Sequence, residues 1–191
     1  MTTSIEKTLI TGTGRCGTTF LIKLFSFLNF DTGFNKENYK SFISNKCNSG
    51  MERHYTENYS ILKNPKFIVN IEHILNDKKN ISIKNVIIPI REYKLSAVSR
   101  EKIGDYADGG LWCANNVQEQ IIFYNKIMAN YNYFMTKYDI NTIFINFDKM
   151  INDKLYLFNK LKCLFDEKNI TFELFSDTYD EVTGTSKPNK I

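Results

Sequence analysis

The chain has 191 residues, a length suited to one domain of about 100–200 residues. With 42% hydrophobic and 14% aromatic residues and a net charge of only +4, the composition excludes a disordered chain and offers no basic stripe for a nucleic-acid polymer. No apolar run reaches the roughly 18 residues of a membrane span, and no basic region followed by an apolar stretch opens the chain, so we expect a soluble, cytoplasmic protein without a membrane partner.

The first predicted element is a strand that runs through a glycine-rich turn into a helix, in the sequence TLITGTGRCGTTFL of residues 8–21. Three glycines, Gly12, Gly14 and Gly17, allow tight turns in which several backbone N–H groups face one anion. The N-terminus of the helix favours negative charge as well. The ATP-binding pattern G-x-x-x-x-G-K-[ST] would place lysine where this chain has Thr18, and the cation here is Arg15. The run therefore predicts a phosphate site that lacks the lysine of the ATP loop.

Three further apolar runs predict buried strands, namely KFIVNI from Lys66, NVIIPI from Asn85 and NTIFINF from Asn141. The residues from Asp31 to Pro65 lack a clear period, and we expect loops there with room for one short helix. This segment is the expected place for recognition of an acceptor substrate.

Apolar residues three and four positions apart predict helices between and after these strands. They are expected after the first loop, from Arg91 to Lys102, from Asn116, from Lys154 to Cys163 and from Phe172 to Tyr179. In the helix from Asn116, Glu119 completes a capping pair. Its buried face is predicted at Ile121, Met128, Tyr131 and Met135. The residues from Thr183 onwards predict a loose tail.

Strands that alternate with helices are typical of a parallel sheet covered on both faces. We therefore predict an α/β fold with a mostly parallel central sheet of about four to five strands flanked by helices. No linker or internal repeat divides the chain, so residues 1–191 are expected to form one domain.

A second candidate anion site lies in the run VIIPIREYKLSAVSR, where a strand ends at Arg91 and Ser99 follows on the next helix. Ligands of open α/β sheets bind at the carboxyl edge of the strands, which places Arg91 beside the first loop. A guanidinium can donate two parallel hydrogen bonds to a phosphate, and the serine hydroxyl adds a third donor. Alternatively, Arg91 forms a surface ion pair with Glu92 or Glu101.

Together, these two motifs resemble the sulfotransferases that use 3′-phosphoadenosine 5′-phosphosulfate (PAPS), a branch of the P-loop NTPase-like fold with three layers. In that family a pattern like R/K-S-G-T-T binds the 5′-phosphosulfate, and Arg15, Gly17, Thr18 and Thr19 match it. An Arg at a strand end with a Ser eight residues later binds the 3′-phosphate, and Arg91 and Ser99 have that spacing. The resemblance extends over most of the chain.

The resemblance implies transfer of a sulfuryl group from PAPS to a hydroxyl or amine of a small molecule, sugar or peptide, with PAP as product and no catalytic metal. It implies a donor site formed by Gly14, Arg15, Cys16, Gly17, Thr18, Thr19, Arg91 and Ser99. Arg15 is expected to stabilise charge on the transferring group and on the leaving phosphate, because positioning and charge stabilisation dominate such in-line displacements.

Cysteine chemistry is not expected in this site. Cys16 stands where the family pattern has serine, so a hydroxyl contact is lost while the backbone N–H is kept. A thiol at a helix N-terminus has a lowered pKa, yet the family needs no covalent intermediate, and we expect small-residue packing. The four cysteines form no C-x-x-C pair, which argues against zinc and against a disulfide framework.

The general base is expected at the end of the second strand. Cytosolic members of the family have K-T-H there, and the run FIVNIEH places Glu72 near the histidine position, with His73 beside it and Asn70 in place of the lysine. Glu72 and His73 are therefore the first candidates for the base. Glu37 and His54 are the alternatives in the preceding segment.

Two other residues are candidates for contact with the donor. Trp112 follows the glycines Gly109 and Gly110 and either covers the adenine or acceptor or packs in the core. The family's basic R-K-G near the C-terminus has no match, and Lys187 is the substitute that the tail offers.

Two other functions remain open on the sequence. A nucleotide or small-molecule kinase with an altered phosphate loop would use magnesium, held by Asp148 at the end of the strand NTIFINFD, although Asp148 also suits a helix cap. A non-catalytic nucleotide-binding protein would keep the phosphate contacts and lack the base.

Overall fold

The computed structural model describes residues 5–44, 47–77, 81–104 and 109–185. Four strands are present in them: β1 (Ile5–Ile10), β2 (Ile61–Lys63), β3 (Ile81–Ile90) and β4 (Asn141–Asn146). The helices are α1 (Thr18–Phe27), α2 (Ile71–Asn76), α3 (Tyr93–Glu101), α4 (Val117–Lys137), α5 (Phe147–Asn152), α6 (Lys154–Lys160), α7 (Lys162–Asp166) and α8 (Phe172–Thr185). Two short 3₁₀ turns span Tyr39–Phe42 and Pro65–Ile68.

The strands form one parallel sheet in the order β2-β1-β3-β4. In the register, Thr8 of β1 lies opposite Ile61 of β2 and Asn85 of β3. Because all four strands run the same way, their carboxyl ends meet at one edge of the sheet. The turns after β1, β2, β3 and β4 therefore come together there.

Helices cover both faces of this sheet. On one face, Ile10 and Ile87 pack with α1, α6 and α8 around the aromatic residues Phe25, Phe165 and Phe175. On the other face, Leu9, Val86 and Ile88 pack with α2, α3 and α4. Burial on both faces explains the consecutive buried apolar residues at the end of β1 (Leu9, Ile10) and in the second half of β3 (Val86, Ile87, Ile88). The prediction of an α/β fold with a parallel sheet between helices is confirmed.

The predicted strand at Lys66–Ile71 is wrong. Pro65 begins a 3₁₀ turn there, the Asn64 side chain accepts a hydrogen bond from the Lys66 N–H at 2.9 Å, and α2 follows. The buried residues of this run, Phe67, Ile68, Ile71 and Ile74, are three or four positions apart, which is the helical period. The second strand is β2, inside the segment for which loops and one short helix were expected.

The helices follow their predictions more closely. The Asn116 side chain accepts from the Glu119 N–H at 2.9 Å and caps α4, whose buried face includes Met128, Tyr131 and Met135, with Ile121 half-buried. The helix predicted from Lys154 to Cys163 is divided into α6 and α7, and α8 extends beyond its predicted end. Thr183–Thr185 are thus helical and not part of a tail, and residues 186–191 lie outside the described part of the chain.

None of the helices described here is long and apolar enough to cross a membrane.

Candidate functional site

The turn between β1 and α1, residues 11–17, lies at the carboxyl edge of the sheet and ends at the N-terminus of a ten-residue helix. Its backbone takes left-handed conformations at Gly14 (φ 72°), Arg15 (φ 56°) and Gly17 (φ 91°). No side chain caps the start of α1, so its first N–H groups have no side-chain acceptor. This arrangement suits an anion.

Arg15, Arg91 and Ser99 meet beside this turn, although they are far apart in the sequence. Arg15 Nε donates to Ser99 Oγ at 3.1 Å, and Arg15 Nη1 donates to the carbonyl of Cys47. Arg91 Nη1 donates to the Arg15 carbonyl at 3.1 Å, and its guanidinium lies 4.8 Å from the centre of the Phe147 ring. The two predicted anion-binding motifs thus form one continuous cluster.

The cluster has positive charges that no carboxylate of the described residues pairs with. Among the described residues, no Asp or Glu forms an ion pair with Arg15, Arg91 or Arg100. Burial lowers the pKa of the Arg15 guanidinium, and the charge of Arg91 lowers it too. The buried Nε of Arg91 has no hydrogen-bond partner in the described part of the chain. The alternative ion pair of Arg91 with Glu92 or Glu101 is not formed, which leaves its guanidinium available to an anion.

Arg100 is part of the site and was not predicted. It lies on α3, is only 2% exposed, and donates to the Thr13 carbonyl through Nε at 3.2 Å and through Nη2 at 3.0 Å. Its guanidinium stacks 3.8 Å from the centre of the Trp112 ring, so Trp112 contacts the site through Arg100. The helical period of α3 was a usable signal for the burial of Arg100. Arg100 follows the buried Ser96 by four positions and so shares the buried face of the helix.

Lys63 was also missed, because β2 was not predicted. It ends β2 and is 1% exposed. Its ammonium forms an ion pair with Glu52 and donates to Thr19 Oγ1 at 3.3 Å and to the Gly50 carbonyl at 2.9 Å. Burial lowers the pKa of Lys63, and the carboxylate of Glu52 opposes that shift. A half-exposed carboxylate, that of Glu52, is therefore held beside the first turn of α1.

The predicted base residues lie elsewhere. Glu72 and His73 are exposed on α2 and do not follow a strand, and His73 Nε2 is 3.3 Å from the hydroxyl of Tyr55. Glu37 and His54 are exposed in the loops before β2. Within the described chain, none of the hydrogen bonds of these four residues reaches the turn at residues 11–17.

The remaining candidates take varied positions. Cys16 is fully buried, as expected for a packing residue, but burial raises the pKa of its thiol, which corrects the lowered pKa expected at a helix N-terminus. Thr18 is buried at the start of α1. Asp148 is exposed in the first turn of α5. Lys187 lies outside the described residues.

No protein-family model, curated protein or solved structure matches this chain.

Proposed function

We propose that this protein is a sulfotransferase that moves a sulfuryl group from PAPS to a hydroxyl or amine acceptor. The observation that supports this most strongly is the cluster of Arg15, Arg91 and Ser99 at the start of α1. A donor with two separate phosphates needs two anion sites next to each other. The order of the elements, with a parallel sheet between helices, suits the three-layer P-loop NTPase-like fold that the sequence motifs imply.

In this proposal, the backbone N–H groups of residues 14–19 and the start of α1 hold the 5′-phosphosulfate. Arg91 and Ser99 hold the 3′-phosphate. Since Ser99 Oγ accepts from Arg15 in the structure, donor binding exchanges that hydrogen bond for one to a phosphate oxygen. Arg15 is then free to stabilise the negative charge that develops on the leaving 5′-phosphate.

Glu52 is the base in this proposal, in place of Glu72 and His73. The acceptor oxygen attacks sulfur, the bond from sulfur to the 5′-phosphate oxygen breaks, and the acceptor proton passes to the Glu52 carboxylate. Lys63 holds this carboxylate next to Thr19. The family pattern K-T-H supports the position of Lys63 at the end of the second strand, although Pro65 stands where that pattern has histidine. A base from another segment is therefore required.

The placement of Glu52 supports the proposed acceptor class. Glu52 belongs to the segment between α1 and β2, which is where acceptor recognition is expected. A small molecule, a sugar or a peptide side chain can present a single hydroxyl or amine to this carboxylate.

Calorimetric titration tests the proposal against the kinase alternative. PAP without metal is expected to bind more tightly than ATP with magnesium, because Arg91 and Ser99 have no phosphate to bind in ATP. Tighter binding of ATP with magnesium would show that the protein is not a PAPS-dependent enzyme. If PAP binds and no transfer from PAPS occurs to phenol, sugar or peptide acceptors, the non-catalytic alternative holds.

A further inference from the structure

The buried guanidinium of Arg100 connects two segments of the site. Besides the two hydrogen bonds to the Thr13 carbonyl, its Nη1 donates to the carbonyls of Gly109, at 3.3 Å, and Gly110. One side chain thus ties the turn after β1 to the segment that precedes α4. The Trp112 N–H in that segment donates in turn to Gln120 Oε1 of α4, at 2.6 Å.

The three groups that accept these four hydrogen bonds from Arg100 are neutral backbone carbonyls. A buried charge is costly unless a charge of opposite sign compensates it, and burial lowers the pKa of Arg100. Carbonyl dipoles satisfy its hydrogen bonds, and no carboxylate of the described residues forms an ion pair with it. An anion on the other side of the turn would supply that negative charge.

The backbone of Gly14 lies directly against this guanidinium. A Cβ atom at Gly14 would be 2.0 Å from Arg100 Nη2, well inside van der Waals contact. The left-handed conformation of Gly14 therefore fits the turn around Arg100. The shape of the phosphate turn and the position of Arg100 depend on each other.

We propose that Arg100 is a positioning residue of the phosphate site, which holds the turn at residues 11–17 in its anion-binding shape and stabilises the bound 5′-phosphate through the turn. The identity of the nucleotide rests on the proposed function. Because Arg100 acts on the turn and not on the 3′-phosphate, it affects adenosine 5′-monophosphate (AMP) and PAP alike. Arg91, by contrast, is proposed to bind the 3′-phosphate, so its loss weakens PAP more than AMP.

Trp112 offers a direct readout, since it is the one tryptophan of the chain and stacks on Arg100. Binding of AMP is expected to change its fluorescence in the parent protein. In a folded Arg100→Ala variant saturated with AMP, that change is expected to disappear. A purely structural role of Arg100 would leave no such difference between the two proteins at saturation.

The experiment compares the affinities of AMP and PAP for the parent protein, Arg100→Ala and Arg100→Lys by calorimetry, after circular dichroism has verified folding. Both affinities are expected to fall by the same factor in Arg100→Ala, about ten- to a hundredfold, the range for hydrogen bonds from charged groups. Added methylguanidinium is expected to restore the affinity of Arg100→Ala, and methylammonium at the same concentration is not. Arg100→Lys keeps the positive charge but lacks the planar guanidinium that reaches both segments. We expect it to weaken AMP and PAP binding by the same factor, and by less than Arg100→Ala does.

The proposal is overturned if a folded variant binds AMP as tightly as the parent protein, or if only PAP binding weakens. If Arg100→Ala does not fold, Arg100→Lys decides by the same criteria. Failure of the proposed function has a different signature, namely that the parent protein binds ATP with magnesium in preference to PAP. In that case the same comparison of Arg100 variants is made with ATP.

Discussion

The two sides of the phosphate turn differ in how their positive charges are compensated. On the α3 side, Arg15, Arg91 and Arg100 donate to backbone carbonyls and to the hydroxyl of Ser99. On the β2 side, Lys63 is paired with the carboxylate of Glu52. Both sides lie at the same edge of the sheet.

This difference indicates a division of roles. Three guanidinium groups without an ion-pair partner among the described residues favour a multiply charged anion, which is what a nucleotide with two phosphates offers. A carboxylate held by a buried lysine repels such an anion and suits a neutral acceptor that must lose a proton. In the proposed function, this contrast separates a donor side from an acceptor side, and three substitutions test it.

The largest effect is expected for Glu52→Gln. Loss of a general base lowers turnover by about a hundredfold or more, while the affinity for PAP stays unchanged or rises, because a carboxylate that repels the anion is removed. Turnover is measured as transfer of labelled sulfate from PAPS to an acceptor that the parent protein sulfates. Glu72→Gln and His73→Ala serve as controls and are expected to keep full turnover. If these controls lost turnover while Glu52→Gln stayed fully active, the general base would be on α2 and not at Glu52.

The next effect in size is expected for Arg91→Ala. Its affinity for PAP should fall by about ten- to a hundredfold, because charge-assisted hydrogen bonds to the 3′-phosphate are lost. Its affinity for adenosine 5′-phosphosulfate, which lacks that phosphate, should change little. Calorimetry with both nucleotides gives the comparison. Equal losses for the two ligands would mean that Arg91 does not bind the 3′-phosphate.

The smallest effect concerns the stability of the donor side. Gly14→Ala should lower the free energy of unfolding by about 1–3 kcal/mol, because alanine is strained at this φ and its Cβ would collide with Arg100. Gly184→Ala in α8 is the matched control, since a Cβ there meets no atom within 4 Å in the described chain. It should leave stability unchanged or raise it by up to about 1 kcal/mol. Urea unfolding measures both, and equal stability of the two variants would contradict the close fit of Arg100 against Gly14.

The donor side was largely predictable because its residues follow local rules. The strand, turn and helix from Thr8 to Leu21 are encoded within one stretch, and Arg91 directly follows the apolar run of β3. Parallel strands share one carboxyl edge, so the sequence alone could place Arg15 and Arg91 near each other. Arg100 was missed because a charged residue on a helix is normally expected at the surface.

The acceptor side was predicted poorly for a physical reason. β2 has only three residues, too few for a period-two pattern to stand out, whereas the apolar run from Lys66 to Ile71 resembles a strand. Pro65 and the cap by Asn64 turn that run into a 3₁₀ turn and a helix. Glu72 and His73 consequently lie on the exposed face of α2, whereas Lys63 and Glu52 lie at the edge of the sheet.

The sequence by itself determined the α/β class, the glycine-rich turn after β1 and the spacing of Arg91 and Ser99, because these depend on contiguous apolar runs, on glycines and on one helical repeat. Only the tertiary structure decided which cation pairs with which group. Lys63 contacts Glu52, 11 residues away in the sequence, and Arg100 contacts Thr13, 87 residues away. Both contacts depend on how β2 and α3 pack beside β1. Such contacts are set by burial and by the geometry of the whole sheet, which no local pattern encodes.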